Sequence, residues 1–186
     1  MSTHFLIFSL ARSGSTTLSN LLNECVQAQL TVNEPFHPQL LTKFGLTCPA
    51  SPAELAAAVE DLTRRHRGIK HVWHPAGWPF PVASLNYDLL LSPGLDVILL
   101  VRANILQRVV SMQICDQLQI WQPMNQAQRL QYTSFDFQEL DETVIDSCLR
   151  HERSQLQECR NLLRRAHKRW LEVSYEELYS PDRDRR

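Results

Sequence analysis

Short apolar runs alternate with amphipathic stretches along nearly the whole chain. His4-Phe5-Leu6-Ile7-Phe8-Ser9 is almost continuously apolar, as expected of a strand buried on both faces of a parallel sheet. Thr16 to Gln29 then carries Leu18, Leu21, Leu22, Cys25 and Val26 at helical spacing. Leu30 to Asn33 reads as a second strand, stopped by Glu34-Pro35. Pro52 suits the first turn of a helix that runs to about His66, with Leu55, Ala56, Val59 and Leu62 inward and Gly68 closing it. Ile69 to Trp73 is a third strand, and Asp96 to Val101 is the clearest of all.

The proline- and glycine-bearing stretch 74–94 reads as loop, with one helical turn near Leu85 to Leu91. Ala103 to Ile120 is helical. Trp121 to Phe135 is polar and irregular, the expectation for a mobile cover. Asp136 and Glu139 have capping-box spacing and predict a long helix from about Asp136 to His167. Trp170 to Val173 reads as a last strand, and residues 179–186 as a charged, frayed tail. Strands alternating with helices predict one α/β domain over 1–186. Its architecture would be a three-layer, P-loop-like sandwich with a parallel sheet of about four or five strands and helices on both faces. Ligands of such sheets bind beyond the carboxyl ends of the strands.

Composition narrows the function more than the fold. Nineteen basic and twenty acidic residues among 186 give a net charge of -1, which provides no field for nucleic acid or anionic membrane. No apolar run approaches the roughly 20 residues of a membrane-spanning helix. Five cysteines without C-x-x-C spacing argue against a disulfide framework or a zinc site and for a reduced, cytoplasmic setting. Sixteen of the basic residues are arginine, whose planar fork matches phosphate or sulfate.

The strongest chemical signal follows the first strand. Leu10-Ala11-Arg12-Ser13-Gly14-Ser15-Thr16-Thr17 leads directly into a helix. Unpaired N–H groups at a helix start carry partial positive charge and favour an anion. Gly14 permits a tight turn around it. Ser13, Ser15, Thr16 and Thr17 add hydroxyls, and Arg12 adds a full charge. Neither a Walker A loop nor a G-x-G-x-x-G is present.

This loop resembles the 5'-phosphosulfate loop of the sulfotransferases, in the version with arginine found in carbohydrate and related bacterial enzymes. Val97 to Ser111 resembles the 3'-phosphate segment of that family. The resemblance implies that Arg102 and Ser111 hold the 3'-phosphate, with Arg108 in reserve. Asn33-Glu34-Pro35-Phe36 and Val173-Ser174-Tyr175-Glu176-Glu177-Leu178 are similar to two further stretches of the family, the second of them structural. The implied donor is 3'-phosphoadenosine 5'-phosphosulfate, used without metal. The implied reaction moves a sulfuryl group to a hydroxyl of a carbohydrate, lipid or small metabolite.

Such a transfer needs a base for the acceptor hydroxyl and cations for the leaving phosphate. Glu34 is the first candidate for the base, carried over from the loop acid of carbohydrate-type enzymes. His37 is the second, because imidazole titrates near neutrality. Arg12, Thr16 and the loop N–H groups would serve the leaving side. Lys70 alternates opposite to Ile69 and is placed to reach the same end. His71 and His74 read as structural or acceptor-binding, and Trp73, Trp78 and Phe80 as an acceptor wall or loop packing. Two other readings stay open: a non-catalytic binder of nucleotide or phosphate, and a P-loop kinase. Acceptor and oligomeric state have no motif.

Overall fold

The computed structural model describes residues 4–74, 77–121 and 125–179. The chain divides into two compact units, Met1–Ala103 with Gln155–Arg186, and Asn104–Ser154. The strands are β1 (His4–Leu10), β2 (Thr31–Asn33), β3 (Gly68–Trp73), β4 (Leu95–Val101) and β5 (Trp170–Ser174). The helices are α1 (Ser15–Cys25), α2 (Pro52–Arg65), α3 (Ser84–Leu90), α4 (Ile105–Leu118), α5 (Gln126–Ser134), α6 (Glu142–Arg165) and α7 (Tyr175–Tyr179).

All five strands belong to the first unit and form one sheet in the order β2-β3-β1-β4-β5. Every neighbouring pair is parallel. The unit is therefore an α/β fold with a parallel sheet between helices. Side-chain alternation assigns the two faces. Leu6, Phe8 and Leu10 of β1 share a cluster with Ile69, Trp73, Val97 and Leu99, covered by α2, α3 and the end of α6. Ile7 and Leu100 point the other way and meet Leu18 of α1, with Leu178 of α7 packed beside them. Each fully buried Leu in these clusters favours the fold by ~1.5–3 kcal/mol before entropy is counted.

The helix ends follow local chemistry. Ser51 caps α2 by accepting from the Glu54 N–H at 3.3 Å, and Glu54 returns a bond from the Ala50 N–H at 2.8 Å. Pro52 occupies the first turn. Helix α1 is shorter than expected. It stops at Cys25, and Gln27 then turns left-handed at φ 51°.

The second unit contains α4, α5 and the start of α6. Two expectations are corrected here. The polar stretch 121–135 is not wholly irregular, since Gln126–Ser134 is helix α5. Its start is a reciprocal capping box: Asn125 accepts from the Gln128 N–H at 2.9 Å, and Gln128 accepts from the Asn125 N–H at 3.0 Å. The long helix α6 begins at Glu142 rather than near Asp136. Asp141 is the residue that caps it, accepting from the Thr143 N–H at 2.8 Å. Residues 122–124 of the expected cover, and 75 and 76 of the proline-bearing loop, lie outside the described residues. So does the tail from residue 180, whereas Tyr179 closes α7. No helix among the described residues is long and apolar enough to cross a membrane.

Candidate anion-binding site at the carboxyl ends of the strands

Strand β1 is central in the sheet, and the chain leaves its carboxyl end through Ala11 to Gly14. Two of these residues are left-handed: Arg12 at φ 64° and Gly14 at φ 83°. Gly14 is the N-cap of α1, and no side chain caps the helix. The first intrahelical bond runs from the Leu18 N–H to the Gly14 carbonyl at 3.1 Å. The amides of the first turn thus keep their donor character toward the loop. Ser13 and Ser15 are buried, while Arg12, Thr16 and Thr17 are exposed. Ser9, beneath the loop, is fully buried, and its Oγ has no hydrogen-bond partner among the described residues.

Strand β3 supplies a second cation. Lys70 pairs with Ile7 on one side and Asn33 on the other, so its side chain is on the α1 face. It is 1 % exposed, and its Nζ donates to Thr16 Oγ1 at 2.8 Å and to Glu34 Oε1. A buried ammonium needs such partners, because desolvation without them is costly. Lys70 thereby joins two residues with separate expected roles, the loop hydroxyl Thr16 and the candidate base Glu34.

Glu34 is presented by its neighbours. Its N–H donates to the Lys70 carbonyl at 2.8 Å, which extends the β2–β3 pairing by one residue. Its backbone is then left-handed at φ 50°. Pro35 and Phe36 turn inward, with Phe36 fully buried against Phe80 at 5.2 Å and His71 at 6.0 Å between ring centres. Among the described residues five non-glycine residues have positive φ, and Gln27, Gln119 and His167 are at helix C-terminal turns, where such geometry is ordinary. Among the described residues, the other two, Arg12 and Glu34, adopt it just beyond strand ends, and both are candidate site residues. Strained backbone of this kind clusters at functional sites.

His37 completes the same turn, its N–H donating to the Glu34 carbonyl at 2.9 Å. Its Nδ1 accepts from the Gln39 N–H at 3.1 Å, so the neutral ring carries its proton on Nε2. That tautomer leaves His37 without an outward lone pair. Trp78 packs edge-on against His37 at 5.1 Å. Of the suggested aromatic wall, Trp73 and Phe80 are buried core residues and only Trp78 is exposed.

His71 faces away from the loop. It is fully buried, stacked against Phe8 and Phe80 at 5.6 and 5.4 Å, with Nε2 at 2.8 Å from Asn86 Oδ1. Burial drives its pKa down to about 4, against the smaller upward pull of the Asn86 bond. It is a neutral core residue.

Arg102 follows the end of β4, as the sequence suggests, but its guanidinium has partners of its own. Nη1 donates to the Arg12 carbonyl at 3.2 Å, the group lies 4.8 Å from the Tyr175 ring centre, and Nε is 3.9 Å from Glu176. Arg108 and Ser111 are on α4 in the second unit. Arg108, expected as a reserve phosphate ligand, is instead buried and ion-paired with Glu152. Its charge is therefore already met within that unit.

Among the described residues no group of His, Cys, Asp and Glu is arranged to hold a metal ion. The residues around the β1–α1 loop fit an anion: an uncapped helix start, a left-handed glycine, an exposed arginine and a buried lysine. Comparison of the chain with profiles of known families, with curated proteins and with solved structures gives no match.

Proposed function

We propose that the β1–α1 loop binds the phosphosulfate of 3'-phosphoadenosine 5'-phosphosulfate and that the protein transfers its sulfuryl group to an acceptor hydroxyl. The observation that carries this reading is the Lys70 ammonium shared between Thr16 of the loop and Glu34. One cation thus adjoins both the place where an anion is bound and the carboxylate that would take a proton. When bound, the donor supplies an electrophilic sulfuryl group. Arg12, Lys70, the hydroxyls of Ser13, Ser15, Thr16 and Thr17 and the amides following Gly14 neutralise charge on the leaving phosphate. Glu34 accepts the proton of the acceptor hydroxyl. All of these residues belong to the first unit.

A kinase reading has less support. Phosphoryl transfer to a hydroxyl uses Mg²⁺ held by a carboxylate near the phosphates. Asp96 is at the amino end of β4, where it pairs with Arg169.

Calorimetric titration with 3'-phosphoadenosine 5'-phosphate and with ATP tests the assignment. The 3'-phosphorylated nucleotide is expected to bind more tightly. Tighter binding of ATP would overturn the donor assignment. Donor binding without transfer to any of a panel of sugars, phenols and alcohols would leave a nucleotide-binding protein instead of an enzyme.

A further inference from the structure

The two left-handed residues of the loop are held by the same group of side chains. Arg12 is held through its carbonyl, which accepts from Arg102 Nη1 at 3.2 Å. Gly14 is held through its α-carbon. A Cβ built there would stand 2.4 Å from Tyr175 Cδ2 and 2.7 Å from Cε2, so the ring lies directly on the glycine. Tyr179 is beside it, with Cε2 3.5 Å from the same point and its ring centre 4.6 Å from that of Tyr175. Arg102 itself is stacked on Tyr175, and its Nε lies 3.9 Å from Glu176, an ionic contact without a hydrogen bond. Glu176 also accepts from the Ala103 N–H at 2.8 Å, which ties the end of β4 to α7.

Helix α7 has an anchorage that does not depend on the loop. Ser174 accepts from the Glu177 N–H at 3.1 Å, and Glu177 accepts from the Ser174 N–H at 3.1 Å. Leu178 packs on the apolar cluster of Ile7, Leu18 and Leu100.

We propose that Arg102, Tyr175 and Glu176 form a brace that holds the Arg12–Gly14 turn in its anion-binding shape. They are positioning residues, and the proposal rests on reading that loop as the donor site. The brace gives Arg102 a different role from direct phosphate ligation, and the two differ in sign. A carboxylate near a bound anion repels it, so removing Glu176 beside a phosphate-ligating Arg102 would tighten binding. If Glu176 instead holds Arg102 against the loop, its removal loosens the turn and weakens binding.

The test uses Glu176→Ala, Tyr175→Ala and Tyr175→Phe in the full chain. Hydrogen exchange of the amides of residues 11–15 is measured in the free protein, with β1 and α2 as internal references. The expected result is loop exchange about tenfold faster in both alanine variants and unchanged references, with slow exchange restored in Tyr175→Phe. Affinity for 3'-phosphoadenosine 5'-phosphate is expected to fall about tenfold in Glu176→Ala. Unchanged loop exchange in the alanine variants, or tighter nucleotide binding in Glu176→Ala, would overturn the brace. If the wild type does not bind this nucleotide, the donor reading fails, and loop exchange alone still decides the brace.

Discussion

Lys70 and His71 are adjacent in β3 and equally buried, yet they live in opposite chemical worlds. Lys70 faces α1 across a polar seam. There Ser19 donates to Asn33 at 2.6 Å and bonds Thr31, and Asn23 accepts from the Leu30 and Thr31 amides at 2.9 and 3.0 Å. His71 faces aromatic rings and one amide. The same strand therefore presents a hydrogen-bonded amino group on one side and an imidazole held neutral on the other. Burial alone does not decide which ionisable group is functional. The partners distinguish the two: Lys70 touches two candidate site residues, Thr16 and Glu34, whereas His71 is bonded to Asn86.

Three experiments probe this contrast, taken from the largest expected effect downward. Glu34→Gln keeps the shape of the Lys70 partner and removes the carboxylate proposed as the base. Sulfate transfer from labelled donor is expected to fall by about 10³-fold while nucleotide affinity is retained. Unchanged transfer would remove Glu34 from the base role.

The second concerns His71. Its folded pKa of about 4 lies below the ordinary value of 6.5. The unfolded chain therefore binds one more proton between these limits, and stability rises with pH across them. His71 contributes stability that is complete above pH ~6.5 and lost as the pH falls toward ~4, about 3 kcal/mol in all. Urea unfolding at stepped pH should show this loss, and His71→Gln should flatten it. An equally steep profile in the variant would assign the pH dependence to other groups.

The third is Lys70→Met, which keeps the stem and deletes the charge. Affinity for 3'-phosphoadenosine 5'-phosphate is expected to drop by about 30-fold, the worth of one charged hydrogen-bonding group. Wild-type affinity would confine Lys70 to a structural pairing with Glu34.

The contrast also shows what the sequence makes legible. Strand positions and the α/β alternation are plain, because buried strands must be apolar and a helix must carry a stripe. The β1–α1 loop is legible because its chemistry is local. Helix α5 is less so: Ala127, Leu130 and Tyr132 alone interrupt its polar run, and its signal is the Asn125 and Gln128 capping pair rather than a hydrophobic period. The start of α6 misleads because Asp136 and Glu139 have capping spacing, whereas Asp141 is the residue bonded to the helix start. Alternation alone turns Lys70 toward the loop, but its pairing with Glu34 depends on the strand order. Arg102 and the Tyr175-Glu176 pair are each visible in local stretches of sequence, but they meet only after β5 has registered beside β4, so no local pattern announces their contact.

Alternation in β3 has a consequence for folding fidelity. A slip of one residue against β1 would exchange the places of Lys70 and His71. The ammonium would then enter the cage of Phe8, Phe36 and Phe80, and the imidazole would face Thr16 and Glu34. An unpaired ammonium among aromatic rings costs several kcal/mol, so a misregistered sheet is penalised as it forms. The charged residue that serves the loop thus doubles as a proofreading mark, admitting one alignment of the central strands and rejecting its nearest competitor.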